Sequence, residues 1–277
     1  MQYASIFSAG DILKFDFQFK DVYNFYDLVD IMKILRSKDG CPWDSVQTHE
    51  SIKNNFIEET YEVIEAINKK DNELLCEELG DVMMQVVFHA QIENENNVFN
   101  IDDVTDGVCK KLIERHPHVF SDINVDGVGD VLTNWEAIKN KSKSRKTQTE
   151  SMLSVPKELP ALMRSAKVQS KASKVGFDWK DKKEVYKKLE EEIQELREAC
   201  EENDKKHIEE ELGDVLFSVV NLSRFIDVDA EESLNKATDK FINRFDVVEK
   251  LATQRNIDMK TASLEELDKL WDEAKMK

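Results

Sequence analysis

The chain has 277 residues, which is enough for one large domain or two small ones. Its 39 basic and 57 acidic residues give a net charge of −18, which argues against a nucleic-acid polymer as partner because the phosphates would be repelled. The sequence contains no long apolar run typical of a transmembrane helix, and its four cysteines are widely separated without a Cys-x-x-Cys motif. We therefore expect a cytoplasmic protein that has no membrane partner, and the charge does not exclude a small phosphorylated ligand.

The sequence predicts a mostly helical chain, because glycine and proline are rare and long stretches contain neither. Residues 1–24 form an N-terminal extension, a short strand or an extended arm, and 121–130 are expected to form a loop. Apolar residues at helical spacing predict the following helices in chain order: 25–38, 49–68, 72–94, 102–116, a short helix around Trp135, 160–175, 181–202, 205–226, 229–253 and a last helix that begins near Ser263.

One acidic pattern occurs twice, which predicts two tandem helical modules of similar topology. The offset between the copies is 133 residues, both from Glu59 to Glu192 and from Asp81 to Asp214. A stretch rich in lysine and arginine between the copies is typical of a solvated linker. Each module is too thin to bury both of its faces, so that either the modules or two chains must pack together. The predicted boundaries are 25–137 for the first module, 138–160 for the linker and 161–277 for the second module.

In each copy, one glutamate occupies a core-facing step of an amphipathic helix. The apolar residues of the first copy are Ile52, Phe56, Val63 and Ala66, and the step between Phe56 and Val63 is Glu59. Glu62 and its counterpart Glu195 lie one turn further on the same side. The corresponding positions in the second copy are Val185, Leu189, Glu192, Leu196 and Ala199.

The next helix of each copy begins with a second pair of acids, Glu78 and Asp81 or Glu211 and Asp214, followed by nearly continuous apolar residues. Converging carboxylates in a buried setting must be protonated or bind cations, because desolvation and mutual repulsion are costly. We favour a metal site over a purely structural acidic cluster. Because all of its ligands would be oxygen atoms, the expected ion is Mg²⁺, with Mn²⁺ as the other candidate. A di-iron centre is disfavoured, because it asks for Glu-x-x-His and Asp81 or Asp214 stands at the fourth ligand position.

A basic pair at helical i, i+4 spacing follows each acidic pattern. The first pair is Lys111 and Arg115, and the second is Lys240 and Arg244. Such a pair is often only an exposed surface feature of little energetic value. Two like charges that recur in both copies of a strongly acidic chain nevertheless suit a polyphosphate ligand.

These motifs resemble the MazG family of nucleoside triphosphate pyrophosphohydrolases, whose acidic pattern is Glu-Glu-x-x-Glu followed by Glu-x-x-Asp. The resemblance covers about residues 25–277. Further stretches that resemble full-length members are Gly40-Cys41-Pro42-Trp43-Asp44, Gln47-Thr48-His49, Arg115-His116-Pro117-His118-Val119-Phe120 and Val175-Gly176-Phe177-Asp178-Trp179.

The resemblance implies an all-α fold of the NTP pyrophosphatase type, a Mg²⁺ requirement, a homodimer, and hydrolysis of NTP or dNTP to the monophosphate and pyrophosphate. Glu58 and Glu191 would orient or deprotonate water, and the basic pairs, with Trp271 stacking on the base, would bind the nucleotide. The implied metal ligands are Glu59, Glu62, Glu78 and Asp81 in the first module and Glu192, Glu195, Glu211 and Asp214 in the second.

The expected mechanism is attack of a water on the α-phosphorus, and the sequence has no Walker A motif that would favour γ-phosphate transfer. Two alternatives stay open. The chain is a non-catalytic helical interaction protein, or it is an enzyme in which only one module is active. In the latter case the second module is favoured, because Trp271 follows it.

Overall fold

The computed structural model describes residues 15, 17–123, 125–142 and 147–276, and all regular elements in these residues are helical, which confirms the all-α prediction. None of the helices in the described ranges is long and apolar enough to cross a membrane. The twelve α-helices are α1 (Phe25–Arg36), α2 (His49–Lys69), α3 (Asn72–Glu95), α4 (Ile101–Arg115), α5 (Pro117–Phe120), α6 (Gly127–Ser142), α7 (Gln148–Leu153), α8 (Ala161–Ser173), α9 (Lys182–Glu202), α10 (Lys205–Phe225), α11 (Ala230–Gln254) and α12 (Leu264–Ala274).

The long helices begin and end close to their predicted positions because local capping groups define them. Thr48 accepts a hydrogen bond from the backbone N–H of Ser51 at the start of α2, and Ser263 forms a capping box with Glu266 at the start of α12, both as predicted. α4 begins one residue before the predicted start, because the Asn100 side chain accepts bonds from the N–H groups of the first turn.

The predicted loop at 121–130 was wrong in its second half, because α6 begins at Gly127. Gly127 has a positive φ of 85°, and the Asp130 carboxylate accepts a bond from the N–H of Asp126, so this turn leads directly into a helix. Two short helices, α5 and α7, were not predicted, and α7 lies in the stretch interpreted as a linker. Residues 143–146 and most of 1–16 lie outside the described residues.

The chain divides into two compact units, Met1–Ile138 and Lys139–Lys277. In the first unit, α2 and α3 form a hairpin that is closed by Lys70 in the left-handed region (φ 57°) and by Asp71, which caps α3. α1 packs against α3. The core contains Met32, Ile52, Val87, Phe88, Ala90, Ile92 and Ile101.

A buried arginine fixes the loop between α1 and α2. The Arg36 guanidinium donates to both carboxylate oxygens of Glu95 at 2.9 Å and to the carbonyl oxygen of Asp44 at 2.6 Å. Gly40 fits this loop because a Cβ there would lie 2.2 Å from the carbonyl oxygen of Ile34. The motif that follows Gly40 is therefore held against the α2–α3 hairpin.

The second unit repeats the hairpin with α9 and α10, which are joined through Asn203 in the left-handed region (φ 55°). α8 packs against α10, and the Gln169 side chain donates to the carbonyl oxygen of Phe217 at 2.8 Å. α11 and α12 pack together around a separate core of Val248, Leu251, Ala252, Leu270 and Ala274.

The loop between α8 and α9 is tied to α10 by an ion pair. Two guanidinium nitrogens of Arg224 donate to the two carboxylate oxygens of Asp178 at 2.8 and 2.5 Å. The Arg224 side chain, through hydrogen bonds and charge, lowers the pKa of Asp178 below its usual range.

We predict that Asp178→Asn destabilises the protein at pH 7 by about 1–2 kcal/mol, because an ionic hydrogen-bonded pair is lost. A lowered carboxylate pKa contributes stability above the unfolded-state pKa, and this contribution is lost as the pH falls through the folded-state pKa. The difference between the variant and the native protein should therefore shrink near pH 3. Urea unfolding at both pH values measures it, with the exposed Asp268→Asn as control, and a pH-independent difference would contradict the prediction.

Candidate functional site

The structure confirms the core-facing phase of the repeated glutamates. On α2, Ile52 and Ala66 are fully buried and Glu59 lies half-buried between them. On α9, Glu192 is 6% exposed between the buried Val185 and Ala199. Helical periodicity alone therefore points these two acids inward.

In the first module, the α2–α3 hairpin brings three carboxylates together. One oxygen each from Glu59, Glu78 and Asp81 lies within 4.8 Å of the others, and we call this group the first acid cluster. The Gln85 side chain donates to Glu59 Oε1 at 3.4 Å. Burial, with a further contribution from the Asp81 charge, raises the pKa of Glu59 above its ordinary value. Burial also raises the pKa of Glu78, with the nearby charge of Glu62 as the next cause, which places Glu62 beside the cluster.

In the second module, the α9–α10 hairpin brings together Glu192, Glu195 and Glu211, again with one oxygen of each within 4.8 Å. We call this group the second acid cluster. A hydrogen bond with Glu192, followed by burial, raises the pKa of Glu195. Asp214, the fourth predicted ligand, is exposed and is not part of this tight group.

The second acid cluster differs from the first in having basic partners. Lys188 Nζ lies 2.9 Å from Glu192 and 2.7 Å from Glu191, and His207 Nε2 lies 3.3 Å from Glu211. At the 133-residue offset, the first module has Asn55 and Leu74 in place of Lys188 and His207. Among the described residues of the first module, no ion pair involves the first acid cluster. The sequence analysis missed both basic residues, although their i, i+4 spacing to the acids was visible.

Both acid clusters fit a hard divalent cation. Every converging donor is a carboxylate oxygen, the ligand type that such ions prefer. Burial, with the charges of neighbouring carboxylates as a further cause, raises the pKa values of Glu59 and Glu78. A cation held between the two helices would offset these unfavourable charges.

The predicted water-activating residues Glu58 and Glu191 are both exposed, and each immediately precedes an inward-pointing glutamate. Glu191 accepts a hydrogen bond from Lys188, whereas Glu58 has Asn55 at the corresponding distance in sequence. The two modules therefore present the same carboxylate at the same helical step, with different neighbours.

The basic pair of the second module lines a groove. Lys240 is exposed, Arg244 is half-buried, and among the described residues neither forms an ion pair. The groove measures about 530 Å³ and is lined by Lys236, Asp239, Lys240, Asn243, Arg244, Val247, Ala274 and Lys275. Trp271 lies on α12, half-buried, with its ring 5.2 Å from the ring of Phe241.

The basic pair of the first module lies at the end of α4. Lys111 is exposed, and Arg115 is half-buried with its guanidinium carbon 5.2 Å from the centre of the Trp135 ring. Its Nε atom is buried and has no hydrogen-bond partner within the described part of the chain.

The histidine of the di-iron alternative lies elsewhere. His89 Nδ1 lies 2.7 Å from His49 Nδ1, and His49 Nε2 lies 2.6 Å from Glu93. Among the described residues, neither of the carboxylate groups able to hold a metal includes a histidine. This arrangement disfavours a di-iron centre.

We predict that Glu59→Gln removes an unfavourable charge from the metal-free first cluster. A raised carboxylate pKa means that stability is complete below the unfolded-state pKa and is lost as the pH rises through the folded-state pKa. In EDTA at pH 7, the variant should therefore unfold at the same or a higher temperature than the native protein. Added Mg²⁺ should raise the melting temperature of the variant less than that of the native protein, because one ligand is missing.

Thermal unfolding followed by circular dichroism measures both effects, and the exposed Glu114→Gln serves as control. A variant that is less stable in EDTA and gains as much from Mg²⁺ as the native protein would contradict the prediction.

Comparison with known proteins gives one domain match in each half of the chain. The MazG nucleotide pyrophosphohydrolase domain matches residues 47–120 and again residues 180–248, so that each match contains one acid cluster and one basic pair. The nucleoside triphosphate pyrophosphohydrolase/pyrophosphatase MazG of Thermotoga maritima is 48% identical over 91% of this chain and 95% of its own length.

Two other relatives cover most of the chain. The nucleoside triphosphate pyrophosphohydrolase of Escherichia coli K12 is 41% identical over 90% of this chain and 95% of its own length. YabN of Bacillus subtilis is 46% identical over 88% of this chain, which corresponds to 50% of that longer protein. With a domain match in each half and these identities over most of its length, the chain belongs to the MazG family of nucleotide pyrophosphohydrolases.

Proposed function

We propose that the protein hydrolyses nucleoside triphosphates and deoxynucleoside triphosphates to monophosphate and pyrophosphate in a Mg²⁺-dependent reaction. The observation that carries the proposal is that each module combines a half-buried carboxylate cluster with a basic pair on the helix that follows it. In the second module this pair lines an open groove and forms no ion pair among the described residues. Carboxylates suit a metal, and unpaired cations in a strongly acidic protein suit its phosphate ligand.

The acid clusters would hold the metal. Bound Mg²⁺, or Mn²⁺ in its place, would supply positive charge and Lewis acidity against the triphosphate. The residues that would hold it are Glu59, Glu62, Glu78 and Asp81 in the first module and Glu192, Glu195, Glu211 and Asp214 in the second.

The remaining site residues would position the nucleotide. Lys240 and Arg244 would bind the phosphates, as Lys111 and Arg115 would in the first module. Trp271 would stack on the base; it is half-buried on α12, the helix that contributes Ala274 and Lys275 to the groove.

The reaction itself needs little covalent chemistry from the protein. The oxygen of a water forms a bond to the α-phosphorus, and the bond from that phosphorus to the bridging oxygen breaks, so that pyrophosphate leaves. Glu58 or Glu191, exposed beside the inward-pointing ligands, would orient the water and accept its proton.

We predict that the double variant Glu59→Gln, Glu192→Gln loses pyrophosphate release by at least about 100-fold, because each cluster loses its core-facing glutamate. The assay incubates the protein with each NTP and dNTP and identifies monophosphate and pyrophosphate as products. Circular dichroism checks that the helices remain, and Glu114→Gln is the matched control.

Release at the native rate by the folded double variant would overturn the site assignment. Absence of turnover by the native protein with every nucleotide would instead favour the non-catalytic interaction protein.

We also propose that the protein is a homodimer in which a second copy covers the outer helices. All residues of α4 from Asp102 to Glu114 are exposed, and so are those of α11 from Glu232 to Asn243. Both helices carry apolar side chains on these exposed stretches, which is unusual for an uncovered surface. The apolar residues concerned are Val104, Val108, Leu112 and Ile113 on α4 and Leu234, Phe241 and Ile242 on α11.

The glycines of the acidic helices support the same proposal. A Cβ added at Gly80 or Gly213 would meet nothing within 4 Å. Packing within the described chain therefore does not require glycine at either position. A second copy that packs closely against the backbone at these positions would require it.

We predict that Val108→Glu combined with Ile242→Glu converts the dimer into a monomer, because two charges would be buried in the interface. Light scattering after size-exclusion chromatography measures the mass. Leu153→Glu, which alters a more exposed apolar residue on α7, should leave the dimer intact. A native protein that elutes as a monomer would contradict the proposal.

A further inference from the structure

A buried glutamine lies beside the first acid cluster. Gln85 is 5% exposed on α3, and its neighbours Val87 and Phe88 belong to the apolar core of the first unit. It follows Asp81 by one helical turn and Glu78 by two, so it lies on the same stripe of the helix as these acids. An amide buried at such a position loses its hydration, which is costly unless hydrogen bonds replace it.

Hydrogen bonds satisfy only one end of this amide. Its Nε2 group donates to Glu59 Oε1 at 3.4 Å, whereas its own Oε1 atom is buried and has no hydrogen-bond partner among the described residues. An unsatisfied buried acceptor is unfavourable, and a methionine or leucine of similar size would avoid it. Packing of the core therefore does not explain the amide, and its bond to Glu59 indicates a role at the acid cluster.

The two modules hold their core-facing glutamates with donors from different helices. In the second module, Lys188 lies one turn before Glu192 on the same helix, with its Nζ atom 2.9 Å from that carboxylate. At the 133-residue offset the first module has Asn55, and the donor is Gln85 of the facing helix instead. The position of Gln85 corresponds to Ser218, which is also buried. The first module thus uses a neutral amide where the second uses an ammonium group.

A neutral donor is well suited to orient a metal ligand. An ammonium group beside a carboxylate offsets its charge and repels an incoming cation, whereas an amide N–H fixes the carboxylate and leaves its full negative charge. Hydrogen-bond partners of this kind orient the ligands of metal sites and increase their affinity for the ion.

We infer that Gln85 is a positioning residue of the first acid cluster, whose amide holds the Glu59 carboxylate in the orientation that binds a divalent cation. The inference rests on the proposed function, because it concerns a metal ligand that is assigned there. Gln85 acts through Glu59, so its removal lowers the affinity for the ion rather than the stability of the metal-free protein.

The test measures Mn²⁺ binding to the full-length protein by electron paramagnetic resonance, which detects the free ion. Glu192→Gln and Glu211→Gln together disable the second acid cluster, so that bound Mn²⁺ reports on the first. In this background, Gln85→Met should raise the dissociation constant for Mn²⁺ by about tenfold or more, the loss expected when the hydrogen-bond partner of a metal ligand is removed. Methionine fills a similar volume and has no N–H group to donate.

Thermal unfolding in EDTA separates positioning from packing. The matched control is Gln91→Met on the same helix, because Gln91 is 8% exposed and donates to Glu95 at 2.9 Å. This control should leave the dissociation constant for Mn²⁺ unchanged. Gln85→Met removes an unsatisfied acceptor, so its melting temperature in EDTA should be no lower than that of the control. Gln85→Leu repeats the measurement if the methionine variant does not fold.

A folded Gln85 variant that binds Mn²⁺ as tightly as its background would overturn the inference, and so would a background that binds no Mn²⁺. If neither Gln85 variant folds, the glutamine is required for packing and the inference is likewise wrong. In each of these cases, pyrophosphate release by the native protein would still support the proposed function. A native protein that neither binds Mn²⁺ nor hydrolyses a nucleotide would instead contradict the proposed function itself.

Discussion

The constraint on which this protein depends is the compensation of carboxylate charge between paired helices. α2–α3 and α9–α10 each place acids at positions that pure packing would fill with apolar side chains. Buried carboxylates repel one another and lose hydration, so that each hairpin needs positive charge. The second module supplies part of it with Lys188 and His207, whereas among the described residues of the first module the Gln85 amide is the polar partner of Glu59. The two acid clusters therefore differ in the positive charge that surrounds them.

The two hairpins carry the acid clusters, whereas the outer helices α4 and α11 carry the basic pairs. Each hairpin has a short closure through one left-handed residue, Lys70 or Asn203, which holds the acids of two helices at matching heights. The helices that follow, α4 and α11, bring the basic pairs and leave long apolar stretches exposed. Under the proposed function, the metal ligands would lie on the hairpin and the phosphate ligands on a less covered helix, which would separate the precise geometry of the metal from the part of the site that adapts to the nucleotide.

Much of the fold follows from local signals. The apolar rhythm on either side of Glu59 sets the rotation of α2, and Thr48 and Ser263 mark helix starts through their capping bonds. The errors occurred where the local signal was weak. The glycines at 127 and 129 are typical of a loop. The positive φ of Gly127 and the hydrogen bond from the Asp126 N–H to the Asp130 carboxylate nevertheless lead the chain directly into α6. α5 and α7 are too short for periodicity to detect.

The order of residues was enough to establish the family, the all-α class, the duplication and which glutamate of each pair points inward, because helical phase depends only on neighbours within a few turns. It did not determine which side chains meet across two elements. The approach of Lys188 to two glutamates was at least visible as a spacing on one helix, but the stacking of Arg115 on Trp135 depends on how α4 and α6 pack. The two residues are 20 positions apart, on helices that are separated along the chain by α5. Periodicity does not predict how two such helices meet, so only the tertiary structure decided this contact.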